Sequence, residues 1–181
     1  GVVGNIAIED SVAMPNGMED VNPVNNHSAT SMIILANANG AAFPISTDFE
    51  SNPSDWVPYA TAGNAPLSKF NIAGAGYNGS DYFAAYACYG IAQGSSGYLI
   101  TPFASVPAGP KALDFYLAYA QYEGTENDKL EIVYSTDCGN SWTSMWSQAG
   151  ADLATVPAQT AQFVPTANSQ WKIKSVIVSA I

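Results

Sequence analysis

With 181 residues, five Lys and no Arg against fifteen Asp and Glu, the chain carries a formal net charge of −10. Such a surface repels polyanions, which argues against nucleic acid and against an anionic membrane as partners; the same acidity also keeps an exported protein soluble. Ten Tyr, seven Phe, four Trp, fifteen Gly and eleven Pro favour strands and turns, and no apolar stripe of helical period outlasts a turn or two, so an all-β chain is expected.

In chain order, the first zone reads as a hairpin. Asn5 to Met14 forms one strand, Pro15 to Asn26 a long turn that is followed by the lone His27, and Ser31 to Ala36 the second strand. An isolated hairpin is marginal in water, so residues 1–38 are expected either to join the sheet that follows or to close an upstream domain. Residues 39–181 form the main domain. Its expected strands begin with Thr47 to Glu50 and Trp56 to Ala60, and after a passage rich in Gly and Asn continue with Asp81 to Tyr89 and Tyr98 to Thr101. Lys111 to Tyr122 is the clearest: Leu113, Phe115, Leu117 and Tyr119 alternate with Asp114, Tyr116, Ala118 and Ala120, placing the large apolar set on one face. Lys129 to Ser135 repeats the pattern with Leu130, Ile132 and Tyr134 inside. In Trp171 to Val178, Lys172 and Lys174 point away from Trp171 and Ile173. Short strands at this spacing suggest an antiparallel two-sheet jelly-roll sandwich.

The sharpest motif is Ser135-Thr136-Asp137-Cys138-Gly139-Asn140-Ser141-Trp142, which has the S-x-D-x-G-x-[ST]-W form of an Asp box. Its chemistry is that of a turn: the Asp137 carboxylate accepts backbone N–H groups, Gly139 permits positive φ, and Trp142 packs beneath the hairpin. Sialidase propellers repeat this motif once per blade and grip a carboxylate with arginines; here it occurs once and arginine is missing, which closes that reading.

The catalytic inventory is thin. His27 has no H-E-x-x-H or G-x-S-x-G context. Glu123, Glu126, Asp128 and Glu131 cluster, and a glycosidase needs only two carboxylates about 5 to 9.5 Å apart, but Gly124, Thr125 and Asn127 mark an exposed loop where acids are simply solvated. A carboxylate-dependent glycosidase fragment is therefore the alternative reading, and a purely structural spacer another. Cys88 and Cys138 cannot complete a four-ligand zinc site with one histidine; they are a disulfide or two buried thiols. A bridge would close a loop of about 50 residues and contribute roughly 4 kcal/mol, and it is the expectation carried forward. No run of apolar residues reaches membrane-spanning length, and Gly1 to Asn5 lacks the basic and apolar regions of a signal peptide, which is expected to lie upstream or to have been removed.

Hard oxygen donors favour calcium. Asp48 and Glu50 lie two apart on one expected strand, and Asp81 follows the Asn78-Gly79 turn, so the three are candidate ligands, with ordinary turn chemistry as the competing reading. Among the aromatics, most of which should be core, Trp146, Tyr59, Tyr77, Tyr89 and Tyr122 are the candidate platforms for a sugar ring.

Residues 43 to 181 resemble the MAM-like, choice-of-anchor or cleaved-adhesin jelly-roll domains of secreted Bacteroidetes proteins. The resemblance is carried by Asp48-Phe49-Glu50 with Trp56, by Gly97-Tyr98-Leu99-Ile100-Thr101-Pro102, by Ala112 to Ala120, by Asp128 to Trp142, and by Leu153-Ala154-Thr155, Phe163-Val164-Pro165 and Trp171. Through Pro15-Asn16-Gly17, Asp20, Asn22-Pro23 and Asn25-Asn26, the first zone is similar to the end of an Ig-like domain of the kind that precedes such modules. The resemblance implies a non-catalytic secreted or cell-surface module, accessory to a hydrolase such as a metallopeptidase, that binds glycans or host and matrix proteins beside neighbouring domains of the same polypeptide. It also implies an oxygen-rich calcium site near Glu50, and a further strand with an Asp beyond Ile181.

Overall fold

The computed structural model describes residues 4–11, 27–34, 41–51, 56–61 and 64–178. Ten strands carry these residues: β1 (Gly4–Ser11), β2 (His27–Ile34), β3 (Val57–Ala60), β4 (Ser68–Asn71), β5 (Tyr82–Ala85), β6 (Gly97–Ile100), β7 (Lys111–Leu117), β8 (Lys129–Tyr134), β9 (Thr143–Ala149) and β10 (Lys172–Val178). Among the described residues, helix amounts to one turn at Gly150–Leu153 and short 3-10 turns at Tyr77–Gly79 and Asn168–Gln170. None of it is long and apolar enough to cross a membrane. The chain is all-β.

The strands pair antiparallel, two by two: β1 with β2, β3 with β6, β4 with β5, β7 with β10 and β8 with β9. The N-terminal hairpin expected from the sequence forms, with Gly4 opposite Ile34 and Ser11 opposite His27, so His27 opens a strand rather than sitting in the turn before it. The long turn expected over Pro15 to Asn26 lies outside the described residues, as does the end of the second strand at Ala36.

Alternation on β7 follows the sequence: Leu113, Phe115 and Leu117 are half-buried, whereas Ala112, Asp114 and Tyr116 are exposed. The inner face meets the β8–β9 hairpin, where Trp146 packs edge-on against Phe115 with ring centroids 5.9 Å apart, and Lys174 Nζ donates to Gln148 Oε1 across the same gap at 2.8 Å. Buried apolar residues are few among those described: Val57, Ala75, Ala120, Leu153 and Val176.

Four expectations are corrected. Thr47 to Glu50 is not a strand but a bend, because Phe49 sits at φ 63°, Thr47 Oγ1 accepts its N–H and Asp48 Oδ1 accepts the N–H of Glu50. β4 lies inside the passage read as a loop; Ser-Lys-Phe-Asn carries one large apolar residue, Phe70, whose stacking on its partner Phe83 supplies what local pattern lacks. β9, Thr143–Ala149, was not anticipated either, since its Ser and Gln residues mask the period of two. On β10 the facing is reversed: Lys174, Val176 and Val178 turn inward, while Ile173 is 60% and Ile177 70% exposed. Pairing fixes this, because Lys174 lies opposite the inward Phe115 and Ile173 opposite the outward Tyr116, and directly opposed residues share a face.

The facing of β10 is open to measurement by denaturant unfolding. Val176→Ala should cost about 2 kcal/mol, the worth of a buried Val side chain, whereas Ile177→Ala should stay within about 0.5 kcal/mol as an exposed substitution.

Candidate functional site

The loop between β4 and β5 is built to hold one aromatic ring. Ile72 N–H donates to Asp81 O, Gly74 N–H to Asp81 Oδ1 and Gly76 N–H to Ser80 O, closing the loop on itself. Gly76 is required by crowding, since a Cβ there would stand 2.8 Å from the Cβ of Ser80. Beyond it, Asn78 adopts φ 58° and Gly79 φ 79°, so the chain reverses over two left-handed residues, the first of which is a type that tolerates this conformation.

This loop is pinned to the far end of the chain. Asn78 N–H donates to Asn168 Oδ1 at 2.6 Å, Asn168 Nδ2 donates back to Asn78 Oδ1 at 3.3 Å, and Trp171 Nε1 donates to Ala75 O at 3.2 Å while its ring meets Phe83 edge-on. Held in this way, Tyr77 stacks on Tyr116 of β7 with centroids 3.5 Å apart and planes at 12°. The rings remain 39% and 42% exposed. The neighbouring Tyr77 phenol raises the Tyr116 pKa above its usual value. Across the strand pair Ile173 is the partner of Tyr116, and Ile177 lies two repeats of the pleat further, opposite Ala112. The outer face of β7–β10 therefore presents two stacked tyrosines and two exposed isoleucines, with Asp114 and Ser175 opposed between them.

The other candidate aromatics are placed differently. Trp146 is half-buried against Phe115. Tyr59 is half-buried opposite the exposed Tyr98, and Tyr122 is half-buried with the exposed Tyr89 edge-on to it. Tyr116 was assigned only an outward position by the sequence; what marks it as part of a surface is its ring partner from a loop about 40 residues away, which no local pattern announces.

The calcium candidates do not converge. Asp48 Oδ1 caps its own turn, Asp81 Oδ1 accepts Gly74 N–H, and Glu50 Oε1 accepts the Ser80 hydroxyl. Asp48 and Glu50 are exposed on a bend and so do not share a strand face. Lys69 Nζ lies 3.3 Å from Glu50 O and 3.5 Å from Ser51 O, 3.9 Å above the Tyr82 ring, so a positive charge already stands among these oxygens and opposes a second cation. No three of His, Cys, Asp and Glu come together as a metal-holding group among the described residues. As placed, Asp48, Glu50 and Asp81 each serve a separate hydrogen bond and are not gathered round one cation position.

Nor do the carboxylates expected near β8 line a cleft. Glu123 and Glu126 are exposed, Glu131 pairs with Lys129 at 2.7 Å, and Asp128 Oδ2 accepts the Tyr119 hydroxyl at 2.9 Å. Beside Asp128 lies Cys88, whose thiol is pushed up to about 11 by burial and then by that carboxylate; such a thiol is a poor nucleophile at neutral pH. Burial also raises the phenol of Tyr86, whose hydroxyl lacks a hydrogen-bond partner.

Cys88 and Cys138, the expected bridge, stand unbridged in the structure, Cys88 half-buried and Cys138 exposed. Cys88 is held at the Asp128 end of β8, whereas Cys138 sits in the turn beyond Tyr134, and a six-residue strand separates them by about 20 Å.

At that turn the Asp box is assembled. Asp137 Oδ1 accepts Ser141 N–H at 2.9 Å and Ser135 Oγ at 2.7 Å, and its Oδ2 accepts Ser141 Oγ at 2.6 Å. Cys138 at φ 59° and Gly139 at φ 87° form a two-residue reversal of the kind that suits a hairpin's twist. Trp142, expected beneath the hairpin, is instead 47% exposed, with its ring edge against Gly139. Compared with protein-family models, curated proteins and solved structures, the chain has no match.

Two measurements check this geometry. Hydrogen bonds from Ser141 first, then Ser135, lower the Asp137 pKa to about 2, below the unfolded value of about 3.9. The carboxylate therefore stabilises the fold above about pH 4 and loses that effect as pH falls towards 2. Asp137→Asn should melt below the parent at pH 7, with the gap closing between about pH 4 and pH 2. In the unreduced native protein, a thiol reagent at mildly alkaline pH should titrate Cys138 rapidly and Cys88 slowly; no reactive thiol would mean that the two are bridged after all.

Proposed function

We propose that the chain is a non-catalytic binding module of an exported, larger protein, a two-sheet jelly roll that holds its parent at a surface through the outer face of β7–β10. One observation carries this reading: Tyr77, Tyr116, Ile173 and Ile177 stand exposed together on one sheet face, two of them as a stacked pair fixed by hydrogen bonds from distant parts of the chain. Apolar surface gathered in this way is uncommon on a protein with no partner. A spacer has no need of it, and a hydrolase would need its carboxylates in a cleft, whereas Glu123 and Glu126 are exposed on a loop.

Secretion, an accessory place beside a catalytic domain and a glycan or matrix-protein ligand are parts of the same proposal, supported by the acidic, arginine-free composition and the motif resemblance. An array of glycans and matrix proteins probed with the chain should give a ligand whose binding weakens about tenfold or more in a Tyr116→Ala, Ile173→Ser double variant, while melting temperature changes little because both side chains are exposed. Undiminished binding would place the ligand elsewhere.

A further inference from the structure

We infer that the face of β7–β10 takes an uncharged carbohydrate chain, one pyranose ring lying on the stacked Tyr77–Tyr116 pair and the chain continuing along Ile173 and Ile177. The inference rests on the binding-module reading and names the ligand class for the same surface.

The first argument is shape. Two rings stacked at 12° and 3.5 Å cover each other's inner faces and brace each other, so a sugar would lie on an outer face of the stack, a flat wall that the Asn78–Asn168 exchange and the Trp171 tie keep from collapsing. An aromatic face is the negative end of a quadrupole and attracts the C–H groups that a pyranose presents on its flatter face. A protein hot spot more often wants an anchor buried in a pocket, and this wall stands open on a sheet.

The second is hydrogen bonding. A sugar laid on the wall brings hydroxyls to its rim, where Asn78 and Asn168 stand beside Tyr77. Their oxygens are held in the exchange described above, but among the described residues Asn78 Nδ2 has no partner and can still donate. Further along, Asp114 and Ser175 lie opposite each other between Ile173 and Ile177, adding a carboxylate that accepts and a hydroxyl that does both.

The third is charge. A sialic, uronic or sulfated sugar needs a cation, best an arginine fork, and the chain has no arginine. On this face the fixed charge is Asp114, two residues from Tyr116, and the molecule as a whole carries −10. Acidic sugars are therefore opposed both at contact and at a distance, and an uncharged chain is the occupant that fits. From Ile173 to Ile177 the strand covers about 13 Å, room for more than one ring.

Isothermal titration calorimetry of the whole chain decides this with three sets of probes: cellohexaose, mannohexaose and maltohexaose as neutral chains; polygalacturonate, heparin and sialyllactose as acidic ones; fibronectin and collagen as proteins. Binding of a neutral hexaose is expected, insensitive to added salt, about tenfold weaker in Tyr77→Ala, restored in Tyr77→Phe and unchanged in Trp142→Ala, which removes an exposed ring elsewhere. Binding confined to the acidic probes overturns the inference, as does neutral-sugar binding that Tyr77→Ala leaves intact. Binding of a matrix protein alone, lost in Ile177→Asp but not in Tyr77→Ala, also overturns it while leaving the binding-module reading standing. Silence from all three sets overturns both.

Discussion

The pairing of β7 with β10 is the constraint on which the proposed function depends. A strand cannot turn two successive side chains the same way, so once Leu113, Phe115 and Leu117 pack towards β8–β9, Ala112, Asp114 and Tyr116 must point out. The register then imposes the same choice on β10, and Ile173 and Ile177 follow Tyr116 into solvent although they are among the most apolar residues of the strand. Inward burial of Val176 and outward exposure of Ile177 are one event seen from two sides. A one-residue slip would bury the isoleucines, expose Phe115's partners and remove the outer face.

What could be read in the sequence divides along physical lines. The β7 and β8 strands were legible because large apolar residues occupy alternate positions and polar ones the rest. The Asp box was legible because a turn is a local object whose hydrogen bonds run between residues at most four apart, such as Asp137 and Ser141. β10 was legible as a strand but not in its facing, since Ile173, Val176, Ile177 and Val178 put apolar residues on both faces and only the partner strand decides. β4 and β9 escaped because their stability comes from cross-strand partners, Phe83 for Phe70 and the β8 residues for Thr143–Ala149.

The site was legible only in fragments. Tyr77 was singled out by type, but its value comes from Tyr116, and their meeting depends on a third region, Asn168 to Trp171, that anchors the loop. Likewise, the two cysteines invited a bridge because pairing is the economical reading of an even count, whereas the structure sets them toward opposite ends of β8. The strand face expected to carry Asp48 and Glu50 turned on a single backbone angle: with Phe49 left-handed, the two lose the common face that an extended strand would have given them, and Lys69 Nζ stands near the Glu50 carbonyl.

The outer face also has a colloidal consequence. Among the described residues each strand pairs with one other, leaving backbone N–H and C=O groups on its other side without a strand partner there, and beside one such pair stand two exposed isoleucines and two tyrosines. Stacked copies could add strand to strand and cover that grease at once. What holds them apart is the surplus of carboxylates, a long-range repulsion that weakens with salt and vanishes near the isoelectric pH of about 4.1. The acidity that first served only to argue against nucleic acid is then also what keeps a protein with an uncovered apolar sheet face dispersed.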